Sequence, residues 1–349
     1  MPEQGKPSAC GVGQSSTAAA AGRLRGLWVP LVTPLRPDGR LDEPALERLV
    51  HHVIDGGADG LFLRGTTSEA ASLGPQVGRR VIAAAVGWAS ALRPGGFPCV
   101  VCVSDPCLAS SVEMARYAHR FQPAGVIAVA ATSPYYYPSS DSELRSYFRV
   151  LSQASPLPVV LYNFPRMVKT ALCPQLVVEL ARMPGIAGLK DSSGDPEYVA
   201  ALLQRLDTNG QFSVLVGEER DLVVSLRRGA AGGVCGTANL VPGLFRDLID
   251  AVVEGRDHVT VALEDRLRAL HGIYRIGSRW SRHIANLKTA MALRGLCGPT
   301  VAPPLLECST KQREAIARRL DGAGEWAAAP MAAATDPSRG PGMSHAVGD

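Results

Sequence analysis

The sequence predicts an α/β fold, a closed (β/α)8 TIM barrel with a C-terminal helical extension. Three observations predict it. Eight short apolar runs between residues 27 and 236 alternate with stretches of helical spacing, the pattern of parallel βα units. The runs are apolar almost without a break, as strands buried on both faces are. Eight such units in succession suit a closed barrel, and the G-x-G-x-x-G fingerprint of open dinucleotide-binding sheets is absent.

Taken in order, LWVPLVT (27–33) is the first run, stopped by Pro34. The turn signal RPDGR (36–40) leads to a helix at 41–54 on which Leu46, Leu49, Val50 and Val53 share a face. Gly56 and Gly57 end that helix, and GLFL (60–63) is the second run. A helix at 75–92 leads to PCVVCV (98–103), one at 108–121 to GVIAVA (125–130), and one at 141–154 to LPVVLY (157–162). A helix at 174–183 leads to IAGLK (186–190), one at 195–207 to FSVLV (212–216), and one at 219–228 to GGVCG (232–236). The barrel therefore spans 24–241. Residues 242–320 carry only helical patterns, at 242–254, 257–275, 282–295 and 310–320, and read as a helical region packed on the barrel or on a neighbouring subunit. Residues 1–23 are rich in Gly, Ser, Ala and Gln and lack the apolar core of a secretory signal; residues 321–349 are rich in Ala, Pro and Gly. Both segments read as disordered.

Composition narrows the function classes. Basic side chains number 36 against 32 acidic, a net charge of +4 that gives no reason to expect nucleic acid or an anionic membrane as partner. No apolar run reaches the ~18 residues that a membrane span needs. The eight cysteines are scattered. Cys99 and Cys102 form C-x-x-C, but an offset of three along a strand puts the two side chains on opposite faces. No second pair follows at zinc-binding spacing, so no metal is expected. Free thiols fit a reducing, cytoplasmic setting.

In a barrel of this kind the reactive groups gather at the C-terminal ends of the strands. The second strand ends in Gly65, Thr66, Thr67, Ser68 and Glu69, and the fourth in Thr132, Ser133, Pro134, Tyr135, Tyr136 and Tyr137. The fifth ends in Tyr162, Asn163 and Phe164, and the sixth in Lys190. The seventh ends in Gly217, Glu218 and Glu219, and the eighth in Gly236, Thr237, Ala238 and Asn239. These ends supply one lysine, several phenols and several hydroxyls, with no histidine and no carboxylate cluster at metal-ligand spacing. Alone, Lys190 reads as a surface lysine snorkelling from a strand end. Among these groups its stem is desolvated, which disfavours the ammonium and leaves an amine able to attack a carbonyl. The set suits imine chemistry with phenol-mediated proton transfer. The GTTSE turn offers adjacent amides to a small carboxylate. A phosphorylated substrate is not expected, because Glu218 and Glu219 occupy the first of the two loops that barrel phosphate sites use. The basic run Arg275, Arg279, Arg282 and His283 reads as a solvated or ion-paired helical face.

Six motifs then carry a resemblance: GTTSE (65–69), SPYYYP (133–138), LYNFP (161–165), GLKDSSGD (188–195), LVGEERD (215–221) and GTANLVP (236–242). In this order and spacing the chain resembles the dihydrodipicolinate synthase and N-acetylneuraminate lyase family of pyruvate-dependent class I aldolases, from about residue 24 to about residue 320. The resemblance implies a homo-oligomeric lyase, a dimer or tetramer, that joins pyruvate to an aldehyde or cleaves the product, a 2-keto acid. It implies no cofactor and no metal, the electron sink being a covalent imine on Lys190. It further implies that Tyr162 moves protons, and that Thr67 links Tyr162 to the hydroxyl of Tyr136, a side chain that in many members reaches into the neighbouring subunit's site. The Thr66 and Thr67 amides would hold the pyruvate carboxylate, and Val234 would line the pocket.

The departures from the family pattern bear on the substrate. Ser68 stands where the usual motif has glycine. In the synthase branch an arginine five residues after the tyrosine of YNxP binds the second substrate's carboxylate; here that position is Met167, with Arg166 one residue earlier. Glu219 and Gly236 stand where the sialate lyase branch binds sugar hydroxyls, and Arg220 replaces a further acid. SPYYYP and YNFP look closest to the sugar-acid aldolases, so a 2-keto-3-deoxy acid is the expected kind of substrate. 4-Hydroxy-tetrahydrodipicolinate synthase activity, which condenses pyruvate with aspartate semialdehyde, is the alternative. A catalytically silent barrel acting as a binding protein is a further one.

Overall fold

The fold was taken from a computed structural model, which describes residues 14–93, 95–206, 212–277 and 282–322. The disorder expected of residues 1–13 and 323–349, and the position of Arg279, lie outside the described residues.

Every apolar run becomes a strand: β1 Gly26–Pro30, β2 Gly60–Leu63, β3 Cys99–Cys102, β4 Val126–Thr132, β5 Val159–Asn163, β6 Ile186–Asp191, β7 Ser213–Val216 and β8 Gly232–Val234. They pair in sequence order, all parallel, and β8 returns to β1 to close the barrel. Side chains alternate across the wall. Leu27, Val29, Leu61, Leu63, Val101, Val129, Leu161 and Leu189 face outward onto the helices. Trp28, Phe62, Val100, Ala128, Ala130, Val160, Tyr162, Leu215 and Val234 fill the interior. Cys99 belongs to the outer set and Cys102 to the inner, the opposite faces that the strand period demands.

The helices begin where the chain supplies start signals. One helix, α1, precedes the barrel (Gln14–Arg23), and the next, α2 (Glu43–Asp55), follows Asp42, whose side chain accepts the Ala45 N–H. The ring continues with α3 (Pro75–Leu92), α4 (Leu108–His119) and α5 (Asp141–Ala154), the last opened by a Ser140–Glu143 capping box. After β5 come the one-turn α6 (Pro165–Val168) and α7 (Pro174–Ala181), then α8 (Pro196–Arg205) and α9 (Leu222–Arg227). Proline in the first turn marks α3, α7 and α8, where a missing N–H costs nothing. α10 (Pro242–Val253) packs on β1 and α9. α11 (Asp257–Leu270), a 3-10 turn at His271–Arg275, α12 (Arg282–Leu293) and α13 (Thr310–Asp321) complete the chain. No helix among the described residues is long and apolar enough to cross a membrane.

Residues 14–23 correct the expectation of disorder at the N-terminal end. They form α1, and Ala20, Ala21 and Leu24 are buried in the same cluster as the barrel interior. Ser213 Oγ donates to the Ala21 carbonyl at 2.8 Å, and the Leu24 side chain lies against Gly188 of β6. The segment is too small-residued to look like a core element, yet its alanines suit a plug for the narrow end of a barrel.

Candidate active site

Register builds the centre of the site. Tyr162 of β5 and Lys190 of β6 are ladder partners, so their side chains enter the barrel mouth side by side. Lys190 is 4% exposed, with Nζ 4.1 Å from the Phe62 ring centroid and 4.2 Å from that of Tyr162. Burial disfavours the ammonium and brings the amine pKa down to about 7. Room for this side chain depends on Gly217: a Cβ there would stand 2.1 Å from Ser192 Oγ and 3.2 Å from Lys190 Cε. On the outer side of β6, Asp191 accepts from Asn163 Nδ2 at 2.7 Å and from Ser193 Oγ at 2.7 Å, which ties the ends of β5 and β6 together. Burial raises the Asp191 carboxyl to about 6.

Burial also raises the Tyr162 phenol above its ordinary value. Its hydroxyl lies 3.3 Å from Thr66 Oγ1. The threonine whose hydroxyl meets Tyr162 is therefore Thr66, where Thr67 was expected. Successive residues of a tight turn point different ways: Thr67 Oγ1 lies toward Gly236, 3.7 Å from where a Cβ on that glycine would be. The Thr66 and Thr67 N–H groups make no backbone hydrogen bond among the described residues, as an amide cradle for a carboxylate requires. Ser68 anchors the turn: its hydroxyl donates to the Leu31 carbonyl at 2.6 Å, and Thr33 Oγ1 donates to the Ser68 carbonyl at 2.8 Å. Glu69, at φ +60°, is fully buried with Lys288 of α12, Oε1 to Nζ 2.5 Å. This contact is ionic, with no well-aligned donor to Oε1, while Oε2 accepts the Ala302 N–H at 2.6 Å.

A cavity of about 490 Å³ opens over Lys190. Thr66, Thr67, Tyr162, Val234, Glu219 and Gly236 all line it. Tyr136 is 76% exposed, packs edge-on against Tyr137 and is not part of this chain's own cavity wall. Arg166 lines the cavity, whereas Met167 packs against the interior cluster.

The far wall was not legible from the strand ends. His271, Tyr274, Arg275 and His283 reach it from the helical region. Glu219 Oε1 accepts the Thr237 N–H at 2.6 Å, and Oε2 accepts Thr237 Oγ1 at 2.6 Å and lies 2.5 Å from His271 Nε2. Thr237 Oγ1, already donating to Glu219, accepts from the Tyr274 hydroxyl at 2.8 Å. Both carboxylate oxygens of Glu219 are thus bonded within the protein. The sequence signal for His271 and Tyr274 is their spacing of three, which eclipses them on one face of a 3-10 turn.

Residues 23–323 match the model of the dihydrodipicolinate synthetase family. The chain belongs to that family. A 4-hydroxy-tetrahydrodipicolinate synthase of Phenylobacterium zucineum is 30% identical over 302 residues, 86% of this chain and 98% of that protein. The solved dihydrodipicolinate synthase of Bacteroides thetaiotaomicron is similar with a TM-score of 0.80 and 34% identity, covering 86% of this chain and 98% of that one. The chloride-inhibited dihydrodipicolinate synthase of Acinetobacter baumannii, solved in complex with pyruvate, is similar with a TM-score of 0.78 and 26% identity over 86% and 99% of the two chains. As a dihydrodipicolinate synthetase family member the chain is an enzyme, a lyase of the class I aldolase type. Most of α1 precedes the matched span.

Proposed function

We propose that the Lys190 amine attacks the keto carbon of pyruvate and that the resulting enamine joins a short aldehyde bearing a carboxylate. The observation that carries the first step is a buried lysine whose pKa is lowered to about 7 beside a phenol in a barrel mouth. Attack gives a carbinolamine; its oxygen leaves as water after taking a proton from the Tyr162 hydroxyl, and an iminium remains. The Tyr162 phenolate left by that transfer takes a methyl proton, which makes the enamine and restores the phenol, and the enamine carbon attacks the aldehyde carbon. The aldehyde oxygen then takes a proton by way of Tyr162 and Thr66. Water finally releases the product and the free amine. The imine is the electron sink, so this route needs neither metal nor organic cofactor.

Incubation with pyruvate, reduction with borohydride and mass measurement test the first step. A pyruvate-sized adduct is expected on the wild type and not on Lys190→Ala. No adduct on the wild type at saturating pyruvate overturns the reading and leaves the silent barrel in its place.

Three observations favour the synthase reading of the second substrate over the sugar-acid reading that the motifs suggest. Both Glu219 oxygens already accept hydrogen bonds within the protein, arginines stand on the cavity wall, and the curated relative above carries the synthase name. Turnover of pyruvate with aspartate semialdehyde is expected; cleavage of a 2-keto-3-deoxy acid without it reverses the preference. The exposed Tyr136 supports a homo-oligomer in which that hydroxyl completes a neighbour's relay. Seven free cysteines among the described residues support a reducing, cytoplasmic setting.

A further inference from the structure

We propose that Arg275 binds the far carboxylate of the second substrate, presented to it by a 3-10 turn that Glu219 and Thr237 clamp over the barrel mouth. This inference rests on the pyruvate reading above and names a residue that the family motifs do not. The turn His271–Arg275 comes from the helical region, yet two of its side chains are fastened to strand-end loops. His271 Nε2 meets Glu219 Oε2 at 2.5 Å, and the Tyr274 hydroxyl donates to Thr237 Oγ1 at 2.8 Å. Glu219 also holds the amide and hydroxyl of Thr237, so the loops after β7 and β8 and the turn form one bonded unit. In the barrel order β7 lies on the side of β6 away from β5. The clamped turn therefore stands across Lys190 from Tyr162, on the wall of the cavity that a second substrate would enter.

Arg275 is the last residue of this turn and lines the cavity. It has no ion pair or hydrogen bond among the described residues. The other guanidiniums on the wall are engaged: Arg220 Nε donates to Glu218 at 2.9 Å, and Arg166 has a partner as well. With Glu219 and Glu218 both bonded to the protein, the cation that a ligand anion meets is Arg275. Its planar fork matches a carboxylate in two parallel hydrogen bonds, a match that lysine cannot reproduce.

The test compares aldehydes on the intact enzyme. Arg275→Ala is expected to raise KM for aspartate semialdehyde at least tenfold, while KM for pyruvate and the borohydride-trapped adduct stay within twofold. Turnover with D-glyceraldehyde, which lacks the carboxylate, stays unchanged, and Arg275→Lys recovers only part of the loss. Glu219→Gln, with Arg275 intact, reproduces the KM rise with the pyruvate adduct still forming; a purely structural effect would lower the adduct in parallel. An unchanged KM in Arg275→Ala, or a KM rise confined to Arg166→Ala, overturns the proposal. So does a wild type that traps pyruvate yet shows no preference for aspartate or succinate semialdehyde over D-glyceraldehyde. A wild type that traps no pyruvate defeats the Schiff-base reading instead.

Discussion

The reactivity proposed for Lys190 comes from its surroundings, and this makes a pH prediction. Only the amine form is a nucleophile, and burial lowers the pKa to about 7. The rate of pyruvate trapping should fall about tenfold per pH unit below 7 and level off above it. A profile still climbing toward the ordinary lysine range near 10.5 would refute the assignment. The same shift has a cost in stability. The folded pKa lies below the unfolded one, so the unfolded chain binds more protons between about 7 and 10.5. The cost is fully present below 7 and fades as pH rises toward 10.5. Lys190→Met should therefore stabilise the fold at pH 6, by about 5 kcal/mol at most, as urea denaturation would report. Gly217→Ala makes a separate prediction: a methyl 3.2 Å from Lys190 Cε should cut the trapping rate at least tenfold in a protein that still folds. At this scale the sequence was readable close to strand ends, where Lys190, Tyr162 and Val234 line the cavity. It did not reveal which of Thr66 and Thr67 faces Tyr162, because the phase of a tight turn leaves no mark in a motif.

Elements were legible in proportion to their periodicity. GLFL and β2 coincide residue for residue, and the predicted helix at 75–92 is α3, because apolar spacing alone defines such segments. α1 was missed because its buried positions are alanines, which carry little hydropathy contrast. The place of α12 was also hidden, since a contact between distant residues has no period. That contact is testable. Lys288→Met leaves the buried Glu69 carboxylate without its counter-ion and should cost about 3–5 kcal/mol in urea denaturation. The double variant Glu69→Gln with Lys288→Met should recover most of this. Equal losses in both would show that the pair's charge is not what matters.

The whole site is assembled from two halves of the chain. The strand ends supply Lys190, Tyr162, Thr66 and Thr67 on one side of the cavity, and the helical region supplies His271, Tyr274, Arg275 and His283 on the other. Reading strand ends alone therefore described the reaction better than the substrate. A third contribution is expected from a second copy. Tyr136→Phe should lower turnover at least tenfold while the pyruvate adduct still forms on Lys190. Mixed oligomers of Tyr136→Phe and Lys190→Ala subunits should regain activity that neither homo-oligomer has. No recovery in the mixture would place the Tyr136 hydroxyl outside the neighbour's site.

The Glu69–Lys288 pair has a consequence in time. The Glu69 carboxylate closes on Ala302 as well, a residue 233 positions further along the chain. At ribosomal speeds the carboxylate waits roughly 10–50 s for these partners to be made. During that interval all eight strands have been synthesised, yet the turn that carries Thr66 and Thr67 has no cation beneath it. Until α12 docks, a nascent chain that has finished its barrel holds the Glu69 carboxylate without its counter-ion under the turn of Thr66 and Thr67. On the proposed chemistry the mouth is complete only when the last helices arrive, so stalled or truncated chains ending before residue 288 should trap no pyruvate.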